Sequence, residues 1–178
     1  MMKKICLFAF TFLIFVSISH AQNINWVIQD GYEIKFSGSG ADGTFGNLTG
    51  IITFDKDNLG DAQFNVTLAA NTISTGNKTK DKHARGDNWF DVEKFPKIKF
   101  TSTRVSTLGD DYQIVGELEL HGVKKQITFP FTFTENGNKG IFEGTFTVNR
   151  EDFDIMGPFF GFVVGDEFEV TVKVPVQQ

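Results

Sequence analysis

Residues 75–100 read TGNKTKDKHARGDNWFDVEKFPKIKF, and this is the one long stretch of the chain that breaks the alternation found on either side of it. Nine charged residues crowd into positions 78–94. From Lys80 to Trp89 the stretch is polar and carries Gly86 and Asp87, which leaves room for at most a short helix. Trp89 and Phe90 follow, then the turn-prone Asp91, then Phe95-Pro96, where the proline holds its predecessor extended. A charged, half-helical flap with aromatic ends, set in a chain of strands, is an element that can close the mouth of a barrel.

Working outward, the flanks alternate with the period of two expected of half-buried strands. Phe64, Val66 and Leu68 alternate with Gln63, Asn65 and Thr67. Downstream, Ile114, Gly116, Leu118 and Leu120 face away from Gln113, Val115, Glu117 and Glu119. The same holds for Ile127, Phe129, Phe131 and Phe133, for Phe142, Gly144, Phe146 and Val148, and for Phe168, Val170, Val172 and Val174. Asp30-Gly31, Gly109-Asp110-Asp111, His121-Gly122 and Asn136-Gly137 mark turns, the last a hairpin signal. Gly38, Gly40, Gly43 and Gly46 mark bends, and Pro130, unable to donate to a ladder, needs a bulge or an unpaired position. About eight strands with hairpin connections and one wet face predict an all-β fold, an antiparallel closed β-barrel with one short helical flap. A β-sandwich shares the alternation. The glycine-rich bends and the single flap favour the barrel.

Several blocks occur together and in order. They are Thr72-Ile73-Ser74-Thr75-Gly76-Asn77, Asp81-x-His83-x-Arg85, and Trp89-Phe90-Asp91-Val92-x-Lys94-Phe95-Pro96 with Ile98-x-Phe100. Downstream come Gly116-Glu117-Leu118-Glu119-Leu120-His121-Gly122-Val123-x-Lys125 and Asn149-Arg150-x-Asp152-Phe153. In these blocks the chain resembles the YceI-like family. The resemblance implies a lipocalin-like barrel in the bacterial periplasm that binds a long-chain isoprenoid or another amphiphilic lipid. The chain departs from the family pattern at Lys80, Ala84, Trp89 and Asp154, where arginine, leucine, phenylalanine and glycine are common.

The N-terminus predicts export. Lys3 and Lys4 precede an apolar run from Ile5 to Ile18, and Ser19-His20-Ala21 offers small residues for cleavage after Ala21, so residues 1–21 read as a signal peptide and 22–178 as one domain. The run is shorter than the roughly 20 residues a membrane span needs. Cys6 precedes the apolar core and leaves with the leader, so the mature chain has no cysteine for a disulfide, thiolate or metal site. Two of the 17 basic residues leave as well, taking the net charge from −5 to −7. An acidic chain without a basic stripe argues against nucleic acid and against electrostatic docking on anionic lipid. Four of the 21 phenylalanines belong to the leader; the remaining 17 predict either a Phe-rich core or an apolar cavity.

A catalytic set is hard to assemble. His83 and His121 are the histidines of the mature chain, at no metal-ligand spacing, and no Gly-x-Ser-x-Gly elbow is present. Asp55-Lys56-Asp57-Asn58 lacks the spacing of a calcium loop, and Gly38–Gly46 lacks the lysine of a phosphate loop. Glu151-Asp152 and Asp166-Glu167 are neighbours that point apart, unlike a glycosidase pair. Arg150 with Asp152 reads as an ion pair at the barrel end, His121 as a turn residue and His83 as a hydrogen-bonded structural histidine. Arg85 reads as a partner of Asp81 or Asp87. The second reading of His83 and Arg85 is contact with a lipid headgroup at the mouth, beside Trp89 and Phe90.

The apolar wall is the best functional candidate. Phe64, Leu68, Phe100, Leu118, Phe129, Phe131, Phe133, Phe142, Phe146, Phe168 and Val170 are the expected lining. An acyl or prenyl chain needs little beyond volume and apolar contact, each buried methylene contributing ~0.8 kcal/mol. The expected function is non-catalytic binding, transport or storage of a polyisoprenoid of quinone or prenyl phosphate type, with no cofactor. The expected location is the periplasm, or outside the cell. The alternative is a solid barrel that binds protein partners through Phe159, Phe160 and Phe162, an apolar loop that would then be an exposed patch. Edge or flap surfaces could also pair two copies into a homodimer.

Overall fold

The computed structural model describes residues 24–157 and 164–178. The expected leader and the loop of Phe159, Phe160 and Phe162 lie outside the described residues. Among the described residues there are ten β segments: β1 Asn25–Ile28, β2 Glu33–Gly38, β3 Ala41–Phe45, β4 Thr49–Thr53, β5 Gln63–Ala69, β6 Lys97–Leu108, β7 Asp111–Leu120, β8 Val123–Asn136, β9 Lys139–Asn149 and β10 Glu167–Gln177. They form one antiparallel sheet in the order β1-β4-β5-β6-β7-β8-β9-β10-β2-β3, and β1 also pairs with β10, which closes the ring.

The ten segments amount to eight strands. β10 pairs with β2 from Phe168↔Gly38 to Lys173↔Glu33 and then with β1 at Val27↔Gln177 and Ile28↔Val176, so β1 and β2 are halves of one strand. β4 and β3 repeat the break opposite them. Gly31, at φ 89°, turns the first break, and the Gln29 amide bridges it by donating to the Pro175 carbonyl over 2.9 Å. At the second break Tyr32 Oη accepts from the Leu48 amide over 3.1 Å. Beyond it, Thr44 and Ser74 exchange backbone hydrogen bonds of 2.8 and 3.0 Å, which seals the seam between β3 and the chain leaving β5. The barrel expected from the glycine-rich bends is thus the fold that forms.

Pro130 occupies the kind of position its chemistry demands. β8 and β9 pair from Asn136↔Lys139 to Phe131↔Gly144 and no further, after which β8 follows β7 and β9 follows β10. The residue at the parting lacks the N–H that would have lost its partner. Side chains fill the gap, with Phe129 and Phe146 stacked at 4.6 Å. Phe153, in a 3-10 turn at Arg150–Phe153, and Ile155, just beyond that turn, are both buried and close it. The hairpin near Asn136 is shifted by one residue: the register leaves Gly137 and Asn138 as the loop, with Gly137 at φ 63°.

The two barrel ends differ. At the end carrying the β6–β7 and β8–β9 hairpins, Phe54 is 1% exposed and meets Phe64, Tyr112, Phe131, Phe133 and Phe142 edge-on at 5.0–6.1 Å. Trp26 Nε1 donates to the Phe54 carbonyl over 2.9 Å and fixes the backbone beneath the ring. Burying each such ring contributes about 1.5–3 kcal/mol, with a further ~0.5–1.5 kcal/mol for each well-oriented aromatic pair. The flap spans the other end. Its helix, α1 Lys78–Arg85, begins two residues before the expected Lys80, because the Asn77 side chain accepts from the Thr79 and Lys80 amides at 3.0 and 3.1 Å. Gly86 ends it.

Candidate functional site

Between the aromatic plug and the flap lies a cavity of about 490 Å³. Its walls are the inward faces of the strands, and its roof is the inner face of α1 with the residues that follow. Of the expected lining residues, Phe64, Leu68, Phe100, Leu118, Phe129, Phe131, Phe142, Phe146, Phe168 and Val170 all border it. Phe133 does not. Its ring lies over Gly140 and stacks on Phe142 at 4.4 Å, within the plug. Alternation gives the side of the sheet a residue faces but not its height along the barrel, so Phe133 was indistinguishable in sequence from Phe131.

The interior stays open because several inward rings lie against glycines of neighbouring strands. A Cβ on Gly116 would overlap the Phe100 ring, and one on Gly38 the Phe168 ring. Phe129 packs in the same way against Gly144. Each ring is drawn to the wall where a larger neighbour would have pushed it toward the axis. The glycines in these strands therefore set the bore, in addition to bending the sheet.

Polar groups gather at the flap end. His83, Trp89 and Phe90 border the cavity there, as expected of the mouth, together with Thr75, Thr79, Lys80, Ala84 and Arg150. Thr79, Lys80, His83 and Ala84 are one face of α1, because residues three and four apart share a helical face. Lys99 and Glu143 also border the cavity, yet their charged ends pair outward with Glu119 at 3.0 Å and Lys173 at 2.9 Å.

Arg85 is not part of the wall and pairs with neither Asp81 nor Asp87. Its guanidinium donates to the Ile73 carbonyl over 2.7 Å and so pins the flap to the barrel rim. Asp81 is held instead by Thr75, whose amide and hydroxyl donate to Oδ1 at 2.6 and 2.8 Å. The Thr75 amide, and after it the Thr75 hydroxyl, keep the Asp81 carboxyl below the ordinary carboxylate range.

Arg150 does not pair with Asp152 either; that carboxylate meets Lys125 at 3.5 Å. The Arg150 guanidinium donates to the carbonyls of Ile155, Met156 and Gly165 at 2.6, 2.7 and 3.2 Å and pairs with Asp166. It also lies over the Trp89 ring at 5.8 Å. A planar fork suits this many fixed acceptors, and it fastens both ends of the β9–β10 connection to the flap. His121, at φ 51°, sits in the β7–β8 turn and shares Nδ1 with the Phe153 carbonyl over 3.1 Å, so Nδ1 carries the proton. Asp154 occupies a left-handed position, φ 57°, which explains why glycine also suits it.

The match to the YceI-like domain model runs over residues 20–176, nearly the whole chain. The chain belongs to the YceI-like family. UPF0312 proteins of Yersinia pestis and Yersinia enterocolitica are 35% and 34% identical to it over 125 residues, a match that spans 65% of this chain and only 65% of the length of those relatives. Among solved structures, BcnA of Burkholderia cenocepacia superposes with a TM-score of 0.77 at 20% identity, covering 81% of this chain and 95% of that one. A polyisoprenoid binding domain from Saccharophagus degradans, implicated in plant cell wall breakdown, gives 0.65 at 14% identity, covering 88% and 99%. At such identities the likeness establishes the barrel alone.

Within this YceI-like barrel, sequence reasoning missed Ile34, Phe36, Ile73, Ile114 and Ile155 as wall residues. Ile34, Phe36 and Ile114 alternate as clearly as the residues that were chosen, so the pattern itself could have supplied them. Ile73 and Ile155 lie in irregular chain, where no periodicity points inward. Arg150 was missed as a mouth residue for the same reason, and Lys80 because a short polar helix has no apolar stripe to show which face turns inward.

Proposed function

We propose that this YceI-like chain binds one long-chain amphiphile, tail first, and carries or stores it without chemical change. The observation that carries the reading is the cavity itself: about 490 Å³, walled by aromatic and aliphatic side chains, blind at the Phe54 plug and polar only at the flap. A hydrocarbon tail gains ~0.8 kcal/mol for each methylene buried there and asks nothing of hydrogen-bonding geometry. The family and the polyisoprenoid binding domain of Saccharophagus degradans support a polyisoprenoid of quinone or prenyl phosphate type as the cargo. The head would sit near Lys80 and His83, since Arg85 and Arg150 are committed to backbone carbonyls. The two lysines of the leader region, Lys3 and Lys4, with the apolar run that follows them, support action in the periplasm. Among the described residues no helix is long and apolar enough to cross a membrane. The alternative of a solid barrel finds no support in an interior that holds this cavity.

The test is native mass spectrometry of the protein purified from an exporting host, with organic extraction of what travels with it. A single co-purifying species of prenyl or acyl mass, lost on denaturation, is the expected result. A protein that stays empty when challenged with quinones, prenyl phosphates and fatty acids overturns the reading.

A further inference from the structure

We propose that three phenylalanines, Phe64, Phe131 and Phe142, form a closed floor that measures the length of the bound chain. The inference rests on the carrier reading above and adds a limit to it. All three rings border the cavity. They also touch one another in a triangle, with centroids 5.2 Å apart for Phe64–Phe142, 5.5 Å for Phe64–Phe131 and 6.0 Å for Phe131–Phe142. Rings at these separations are in mutual contact, so no gap between them admits a methylene chain.

A second tier holds the triangle from behind. Phe54 stands edge-on to each of its three members, Tyr112 stacks on Phe131 at 5.3 Å, and Phe133 stacks on Phe142 at 4.4 Å. Phe54 itself does not border the cavity and has its carbonyl held by Trp26. Higher in the barrel the rings behave differently: Phe100 and Phe168 lie against Gly116 and Gly38 and leave the axis free. The bore is open where glycine faces the ring and shut where rings converge. A tail entering from the flap therefore runs down the axis until it meets the triangle, and any further carbon must remain at the mouth.

Up to that limit each added methylene is worth about fourfold in affinity, from its buried area; beyond it, the gain stops. The experiment titrates the purified, delipidated protein with all-trans prenyl alcohols lengthened one isoprene unit at a time, and in parallel with saturated fatty acids. Wild type is expected to show affinity rising with length to a break and then level. In Phe131→Leu and in Phe142→Leu, each of which opens the triangle while retaining an apolar side chain, the break moves to a longer chain by at least one isoprene unit. Phe168→Leu, on the wall near the mouth, changes affinity without moving the break. Phe54→Leu, which lets Phe131 and Phe142 retreat, gives the same lengthening and serves should either floor variant fold poorly. A break unmoved in the floor variants overturns the ruler and leaves the carrier standing. A wild-type affinity that climbs with length without a break also overturns it. Failure of wild type to bind any member of either series overturns the carrier reading and the ruler together.

Discussion

Glycine and phenylalanine carry opposite halves of one device at the level of single residues. Gly116 has Phe100 where its side chain would be and the Thr101 carbonyl close by. Alanine there must displace backbone or ring, and such overpacking costs about 1–3 kcal/mol. Since the ring is the softer neighbour, it moves toward the axis and takes volume from the cavity. Gly116→Ala is thus expected to lower both the denaturant midpoint and the affinity for a hydrophobic probe, measured by chemical denaturation and by displacement titration. A variant with unchanged affinity would show that the bore does not depend on this contact. The sequence displayed Gly116 and Phe100 as members of two alternating runs. It could not display their contact, because that depends on which residues stand opposite across the β6–β7 ladder.

The flap is the element with the least core and the most local wiring. None of the residues of α1 is buried, and an eight-residue helix is marginal without help. Asn77 caps it, Arg85 ties its end to Ile73, and Thr75 holds Asp81. The Asp81 carboxyl is depressed in the folded state by the Thr75 hydrogen bonds. A depressed carboxylate contributes its stabilisation above the unfolded pKa, roughly 3.9 for aspartate, and loses it as pH falls through the lower folded value. The clasp is therefore intact at neutral pH and opens only in strong acid. Hydrogen exchange at the Thr75 amide, corrected for the intrinsic rate, should stay protected from neutrality down to that range and then lose protection. Asp81→Asn should lower that protection already at neutral pH. Equal protection in the variant would mean that the carboxylate charge contributes nothing. That a short helix would form was legible from the polar run and Gly86; its start was not, since only the structure shows which amides Asn77 reaches.

For the whole molecule, the plug is the place where the ring of strands is anchored. Phe54 joins the β4–β5 connection to β5, β7, β8 and β9 through five aromatic contacts. Phe54→Ala leaves a void at that junction and is expected to cost about 3–5 kcal/mol of global stability, read as a fall in the unfolding midpoint. A loss well below that range would mean that the surrounding rings collapse into the space. The sequence by itself determined the strand content, the sidedness of each strand, the turns and the family, because alternation with period two and turn chemistry are local properties of the chain. It also put all eleven expected wall residues on the inward face, ten of them bordering the cavity and Phe133 in the plug. The tertiary structure decided closure of ten segments into eight strands, the parting of β8 from β9 at Pro130, and the division of the phenylalanines into floor, wall and plug. These depend on register and on height along the barrel, and both are set by contacts between residues far apart in sequence.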